Sequence, residues 1–217
     1  MVEGRLDTAG RLTYQHKFVE GTEKTTLLLL HGTGGDEDSM LSLGHAISQR
    51  SSLLSPRGKV LENGMPRFFR RFDEGVFDIE DLKFRSGELA NFVREASAAY
   101  NFDVNDVIAV GYSNGANIAA SITLLQLFRF AGAILFRPMV PLVPSKPPNL
   151  NNLRILIAAG HWDQIVPQAE TERLVALFRR AGAEVTLNWQ AGGHELKSEE
   201  AERAKEWFNS NFQSEQH

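Results

Sequence analysis

Apolar residues along this chain occur in short continuous runs, separated by longer stretches with helical spacing. A short apolar run without polar alternation is typical of a strand that is buried on both faces, as in a parallel sheet. Four such runs stand out, at residues 25–30, 107–110, 131–136 and 153–159. Each is followed by glycine or by a polar residue, so the pattern predicts four central strands that each lead into a loop.

Between these runs, apolar residues recur every three or four positions, which predicts amphipathic helices. The clearest begins at Asp78, which can cap the first turn, and continues to Tyr100. A second begins at Pro167, because proline fits the first turn of a helix, and ends before Gly182. A third is capped by Ser198. Weaker patterns predict helices at residues 39–47 and 114–127 and strands at residues 11–19, 51–55 and 184–189.

Strands and helices therefore alternate along the chain. This alternation is typical of a mostly parallel sheet, here of about seven strands, with helices on both faces. The length of 217 residues suits one domain with a sizeable core, so we expect a single α/β domain over residues 1–217. Residues 56–77 contain three glycines and two prolines, and they predict an irregular segment between a strand and a helix.

The composition argues against several classes of partner, chemistry and location. The net charge of −4 gives no reason to expect a nucleic-acid partner. The absence of cysteine excludes disulfides, a cysteine nucleophile and thiolate metal sites, and it fits a reducing compartment. Residues 1–10 lack the apolar segment of a signal peptide, and no apolar run is long enough to span a bilayer. We therefore expect a cytoplasmic protein that does not contact membranes.

The strand at residues 107–110 leads into a glycine-rich turn. Its spacing, Gly111-x-Ser113-x-Gly115, is that of a nucleophile elbow, in which a serine stands on a strained turn between a strand and a helix. Glycine on either side tolerates the crowding of such a turn, which lifts the Ser113 hydroxyl clear of the sheet. Taken alone, the motif is also compatible with a tight strand–helix turn that carries a solvated serine.

A serine hydroxyl becomes a nucleophile near neutral pH when a base takes its proton and a third group orients that base. Among the six histidines, His194 follows the last predicted strand, and Asp163 follows the strand before it. The carboxyl ends of parallel strands meet at one edge of the sheet, so we expect Ser113, Asp163 and His194 to converge there, in the chain order of known triads. Taken separately, Asp163 could cap the helix near Pro167, and His194 could be a polar turn residue.

The carbonyl oxygen that a serine attacks becomes negatively charged, and each donor held against it typically lowers the barrier by about 3 kcal/mol. We predict that the backbone N–H of Asn114 is one donor and that the backbone N–H of Thr33 is the other. Thr33 lies in the glycine-rich loop at residues 31–35, which could also be a plain turn. His31 is expected to brace this loop. The histidines lack the local spacing of a metal site, so we expect no metal and no cofactor.

Residues 56–77 combine aromatic residues with arginines. A loop of this length is usually functional or mobile, and as a short lid it would supply apolar walls for an acyl or aromatic group. The alternative is a surface excursion whose aromatic residues fill the core. A positive charge at Arg137 could contact an anionic substrate or could be used in an ion pair. The candidate substrate contacts are Arg57, Met65, Phe68, Phe69, Arg137 and Met139.

The motifs at residues 30–35, 111–115, 160–163 and 193–194 resemble those of the α/β-hydrolase superfamily. The short chain is similar to the phospholipase/carboxylesterase branch, which includes acyl-protein thioesterases, and residues 56–69 look like a bacterial carboxylesterase subgroup. The resemblance extends over about residues 27–208 and implies an α/β-hydrolase fold without a large cap domain. Such proteins usually have Asp-Pro-Val-Val-Pro after the acid loop. This chain has Asp-Gln-Ile-Val-Pro at residues 163–167, which keeps the acid and the later proline.

The resemblance implies a serine hydrolase that acts on a small-molecule carboxylic ester or thioester without a cofactor. The habit of the family suggests a homodimer. Two other interpretations stay open. One is a hydrolase of carbon–carbon bonds in aromatic breakdown products, which uses the same three residues. The other is a binding protein without catalytic activity on the same fold.

Overall fold

The computed structural model describes residues 12–213 and, for the backbone alone, residues 2–4. The main sheet has eight strands: β1 (Val2–Gly4), β2 (His16–Val19), β3 (Thr26–Leu30), β4 (Ser52–Pro56), β9 (Val107–Tyr112), β10 (Gly132–Phe136), β11 (Arg154–Gly160) and β12 (Glu184–Gln190). Two hairpins follow β4: β5 (Val60–Glu62) with β6 (Met65–Arg67), and β7 (Arg71–Asp73) with β8 (Val76–Phe77). The α-helices are α1 (Leu41–Ile47), α2 (Ile79–Tyr100), α3 (Asn114–Leu124), α4 (Gln168–Arg180) and α5 (Ser198–Phe212).

The sheet has the strand order β1-β2-β4-β3-β9-β10-β11-β12. Six strands of this sheet run parallel to one another: β4, β3, β9, β10, β11 and β12. The strand β2 pairs antiparallel with β4, and β1 pairs antiparallel with β2 at the edge. The prediction of a mostly parallel sheet of about seven strands is confirmed, with the three-residue β1 as an additional edge strand. Within the predicted strand at residues 11–19, only His16–Val19 is a strand, and Arg11 lies outside the described residues.

The core has two layers, one on each face of the sheet. Successive side chains of a strand point to opposite faces, so Leu28 and Leu30 of β3 join one layer while Leu27 and Leu29 join the other. Helices α2, α3 and α4 cover the first face, and α1 and α5 cover the second. Full burial of each leucine stabilises the fold by roughly 1.5–3 kcal/mol, which favours apolar residues at most positions of the central strands.

The ends of α2 and α4 follow the predictions, whereas the helices predicted at residues 39–47 and 114–127 are shorter, at Leu41–Ile47 and Asn114–Leu124. Asp78 caps α2, because its carboxylate accepts the Asp81 N–H at 3.1 Å. Pro167 stands directly before α4. The prediction that Ser198 caps the last helix is wrong by one residue: Ser198 is already helical, and Lys197 holds the cap position. The side chain of Glu200, in the first turn of the helix, accepts the N–H of Lys197 at 3.0 Å.

The segment at residues 56–77 differs from the predicted irregular loop, because it folds into the two hairpins. Phe68, at the end of the first hairpin, and Phe69 are fully buried and belong to the core. Phe72, by contrast, is 76% exposed. The aromatic residues at positions 68 and 69 therefore fill the core, and within residues 12–213 no large cap domain covers the sheet. Among the described residues, no helix combines the length and the apolar character needed to cross a bilayer.

Candidate active site

Ser113 lies in the turn between β9 and α3 and has a strained backbone conformation, with φ 51° and ψ −112°. The two flanking glycines are required by space. A Cβ on Gly111 would lie 2.7 Å from the backbone of Ala116, and a Cβ on Gly115 would lie 2.0 Å from the carbonyl oxygen of Leu30. The turn is thus tightly packed, and it places Ser113 directly after the carboxyl end of β9.

Three side chains from different loops meet at this turn. The Ser113 Oγ lies 2.9 Å from the Nε2 of His194, and the Nδ1 of His194 lies 2.8 Å from the Oδ2 of Asp163. The other oxygen of Asp163 accepts the N–H groups of Ile165 at 2.8 Å and Val166 at 2.9 Å. A carboxylate only accepts hydrogen bonds, so Nδ1 of the imidazole carries the proton and Nε2 is free to accept one from the serine.

Two further contacts fix the histidine loop. The Tyr112 hydroxyl donates to the carbonyl oxygen of His194 at 3.0 Å, and the two rings lie 5.6 Å apart. Burial raises the pKa of Tyr112, so the hydroxyl keeps its proton for this bond. The N–H of Trp162 donates to Gly192 at 3.0 Å, which joins the acid loop to the histidine loop.

The glycine-rich loop after β3 lies directly beside the serine turn, since a Cβ on Gly115 would also approach the carbonyl of His31 within 2.7 Å. Asn114 is the first residue of α3, and an N–H in this position has no partner within the helix. Thr33 is held from its side chain, because its Oγ1 accepts an N–H of Arg67 at 2.7 Å. The N–H of Gly34 donates to Pro66 at 2.9 Å.

His31 is held at both ring nitrogens. Its Nδ1 donates to the carbonyl of Gly32 at 2.7 Å, and its Nε2 accepts the N–H of Gly58 at 2.9 Å. Burial lowers the pKa of His31, which keeps the ring neutral. With both nitrogens in use, the ring supports the loop, as expected from the sequence.

Residues 18–212 match the family model described as phospholipase/carboxylesterase. The chain belongs to this family. Among similar proteins, MhqD of Bacillus subtilis (strain 168) is 48% identical over 194 residues, which are 89% of this chain and 97% of MhqD. Membership supports a hydrolase of the carboxylesterase class.

Two solved carboxylesterases show the same architecture. The crystal structure of the Bacillus cereus carboxylesterase has a TM-score of 0.90 at 48% identity and covers 92% of this chain and 95% of its own. The carboxylesterase from Mesorhizobium loti has a TM-score of 0.87 at 28% identity and covers 95% of this chain and 99% of its own. The α/β-hydrolase fold predicted from the motifs is therefore confirmed.

The predicted substrate contacts of this phospholipase/carboxylesterase family member separate into two groups. Met65 is 41% exposed and lies against Gly34, where a Cβ would be 3.7 Å from its sulfur. Met139 is partly buried, and a Cβ on Gly75 would lie 3.3 Å from its methyl group. Met65 therefore lies against the glycine-rich loop, and Met139 lies against the turn of the second hairpin. Phe68 and Phe69 are fully buried in the core, and Arg57 pairs with Glu37 and Asp36.

Arg137 differs most from its prediction. Instead of facing an anionic substrate, it is 1% exposed and forms a two-pronged ion pair with Glu200, at 2.6 and 2.8 Å. The alternative that the sequence left open, an ion pair, is what the structure contains. Its partner was not predicted, because no local pattern connects positions that are 63 residues apart.

Two other residues near the site, Arg67 and Trp162, were not predicted to belong to it. Arg67, which donates to Thr33, was noted only as one of several arginines in the segment at residues 56–77. Trp162 is 69% exposed directly before Asp163, and an exposed tryptophan in a loop after a strand is a signal that could have been used. Among the described residues, no three His, Asp or Glu side chains are grouped as a metal site would require.

Proposed function

We propose that this protein cleaves carboxylic esters or thioesters through an acyl-enzyme on Ser113. The observation that carries the proposal is the continuous chain of hydrogen bonds from Ser113 through His194 to Asp163, at 2.9 and 2.8 Å. Family membership supports the same class of reaction. The strained backbone of Ser113 supports it independently, since such strain is typical of functional sites.

In the first half-reaction, the Nε2 of His194 takes the proton from Ser113 while the serine oxygen bonds to the substrate carbonyl carbon. The N–H groups of Thr33 and Asn114 hold the oxyanion, and loss of one such donor typically raises the barrier by about 3 kcal/mol. When the carbonyl re-forms, the bond to the leaving group breaks, and the alcohol or thiol takes the proton from His194.

In the second half-reaction, His194 takes a proton from water, and the resulting hydroxide attacks the acyl carbon. The ester bond to Ser113 breaks, the proton returns to the serine, and the carboxylic acid leaves. Asp163 holds the imidazole in the required tautomer throughout and stabilises its cation. The first proton transfer, from Ser113 to His194, uses two groups that are already within hydrogen-bond distance, at 2.9 Å.

The surroundings favour an uncharged, apolar acyl group over the anionic substrate that Arg137 suggested. Met65 lies against the glycine-rich loop, and the exposed Trp162 and Ile165 stand on either side of the acid. Arg137 is used in its own ion pair. Apolar walls with a few polar groups are typical of small-molecule sites.

A fluorophosphonate probe, which reacts with activated serines, tests the proposal directly. We expect the wild type to take the label and the Ser113→Ala variant to take none, with kcat/KM on p-nitrophenyl esters falling by a factor on the order of 10⁴ to 10⁶. Ser210→Ala, at an exposed serine of α5, serves as the control and should match the wild type.

The competing functions give different results. A carbon–carbon hydrolase would take the label but prefer ring-cleavage products to esters and thioesters in a substrate panel. A binding protein without activity would take no label. Labelling of Ser113→Ala at the rate of the wild type would refute the assignment of the nucleophile.

A further inference from the structure

We propose that Arg137 is a positioning residue for the base: it holds the loop that carries His194 in line with Ser113 and Asp163. Its effect on catalysis rests on the proposed function. Arg137 directly follows β10, between the serine turn and the acid loop, and its side chain is 1% exposed. Its backbone has φ 54°, a conformation that a bulky residue rarely adopts.

Two of its hydrogen bonds go to the backbone carbonyls of the residues on either side of His194 in the chain. The Nε donates to the carbonyl of Gly193 at 2.9 Å, and the Nη2 donates to the carbonyl of Glu195 at 2.9 Å. These are the residues directly before and after His194. The loop at residues 191–197 has no helix or strand of its own, so these contacts fix a backbone that secondary structure leaves undetermined.

The remaining donors anchor the guanidinium itself. The Nη1 donates to the carbonyl of Ala158 of β11 at 3.1 Å. The Nη1 and Nη2 also donate to the two carboxylate oxygens of Glu200 of α5, at 2.6 and 2.8 Å. All five N–H groups of the side chain thus have acceptors, which is the full capacity of an arginine. The planar fork therefore ties β11, α5 and the histidine loop together, a geometry that a lysine ammonium cannot reproduce.

The positive charge of Arg137 also lies close to two carboxylates, Asp163 and Glu200. The Nε of Arg137 lies 4.0 Å from the Oδ2 of Asp163, the same oxygen that holds His194. Glu200 balances the buried positive charge and, through the Lys197 N–H, caps the helix that follows the loop. A buried ion pair often stabilises a fold no more than apolar side chains of equal volume would. Stability alone therefore does not explain a fork placed on the two carbonyls beside the base.

The double variant Arg137→Met/Glu200→Leu removes both charges together and leaves neither of them buried alone. We expect it to fold with a Tm below that of the wild type, because no charge is left buried alone but the carbonyls of Ala158, Gly193 and Glu195 lose their donor. We expect kcat on p-nitrophenyl esters to fall about 10- to 100-fold with little change in KM, since the loss concerns the orientation of the base. Arg137→Lys should restore only part of the activity.

The control is Arg154→Met/Glu184→Leu, which removes an Arg–Glu pair at the opposite end of β11. We expect wild-type kcat and KM from it. Wild-type kcat in the folded Arg137→Met/Glu200→Leu variant would overturn the proposal, as would an equal loss in the control.

A proton NMR measurement separates this proposal from the proposed function. The Nδ1 proton of His194, bonded to Asp163, should give a downfield signal in the wild type and a broadened or shifted one in Arg137→Met/Glu200→Leu. This signal reports the position of His194 whether or not the protein cleaves esters. An inactive wild type that keeps this difference would overturn the proposed function alone, and an unchanged signal in the double variant would overturn the role of Arg137.

Discussion

Ser113 and Arg137 both have left-handed backbone conformations, with φ 51° and 54°, although neither is a glycine. They directly follow the adjacent strands β9 and β10. A hydrogen bond links the two strand ends, because the N–H of Ser113 donates to the carbonyl of Phe136, the residue before Arg137, at 2.9 Å. Strain of this kind costs about 1–3 kcal/mol per residue and persists only where the surroundings impose it. Here the surroundings are the close packing at Gly115 and the five acceptors around the arginine.

At the residue scale, we predict opposite effects for two glycine substitutions. Gly115→Ala should lower the free energy of unfolding by about 1–3 kcal/mol or more, because its Cβ would overlap the Leu30 carbonyl. Gly87→Ala, inside α2 with no atom within 4 Å of its Cβ, should raise it by about 0.5–1 kcal/mol. Urea denaturation of both variants measures the difference, and equal effects would contradict the packing of the serine turn.

At the scale of elements, the two hairpins at residues 56–77 act as a support for the site. The N–H of Gly58 donates to the ring of His31 at 2.9 Å, and the N–H of Phe68 donates to the side-chain oxygen of Asn114 at 2.8 Å. The carbonyl of Pro66 accepts the Gly34 N–H. The segment thus fixes both the glycine-rich loop and the start of α3, where the two predicted oxyanion donors lie.

Two phenylalanines of this segment should respond differently to truncation. Phe69→Ala should lower the free energy of unfolding by about 3–5 kcal/mol, because it empties a fully buried position. Phe72→Ala, which is 76% exposed, should change it by less than about 0.5 kcal/mol. The midpoints of denaturant unfolding compare the two. A small effect at position 69 would contradict the role of Phe69 as a core residue.

At the scale of the whole molecule, the parallel sheet brings distant parts of the chain to one edge. Ser113 follows β9, Asp163 follows β11 and His194 follows β12. The same fold buries two histidines, His16 in β2 and His31 in the glycine-rich loop. The Nδ1 of His16 donates to the carbonyl of Tyr14 at 2.6 Å, and its Nε2 lies 2.7 Å from the Tyr100 hydroxyl.

This burial predicts how stability depends on pH. Burial lowers the pKa of His16 and of His31 below the ordinary 6.5, so in mildly acidic solution the unfolded chain binds protons that the folded chain does not. Stability should therefore be full above about pH 6.5 and decline as the pH falls below it. We expect a lower Tm at about pH 5.5 than at about pH 7.5, and a smaller difference in His16→Gln.

The matched control is His45→Gln, at an exposed histidine of α1. It should keep the wild-type pH dependence. If His16→Gln and His45→Gln have the same effect on the slope, burial of His16 is not the source of the acid sensitivity.

The sequence by itself determined the strands, most of the helices and the turn that carries Ser113, because these features depend on neighbouring residues. Runs such as residues 25–30 define buried strands, because each residue must avoid water on both faces. The spacing around Ser113 defines its turn, because only glycine fits beside it. Once the strands are parallel, the positions of Asp163 and His194 at the same edge follow from chain order.

The tertiary structure alone decided which distant side chains meet. The bonds from Arg137 to Glu200 and from Arg67 to Thr33 join positions 63 and 34 residues apart, and no local pattern encodes such pairs. Likewise, Phe68, Phe69 and Phe72 look alike in sequence, yet two are buried and one is exposed. The physical reason is that burial and pairing are properties of the packed layers, which the chain acquires only when its elements assemble.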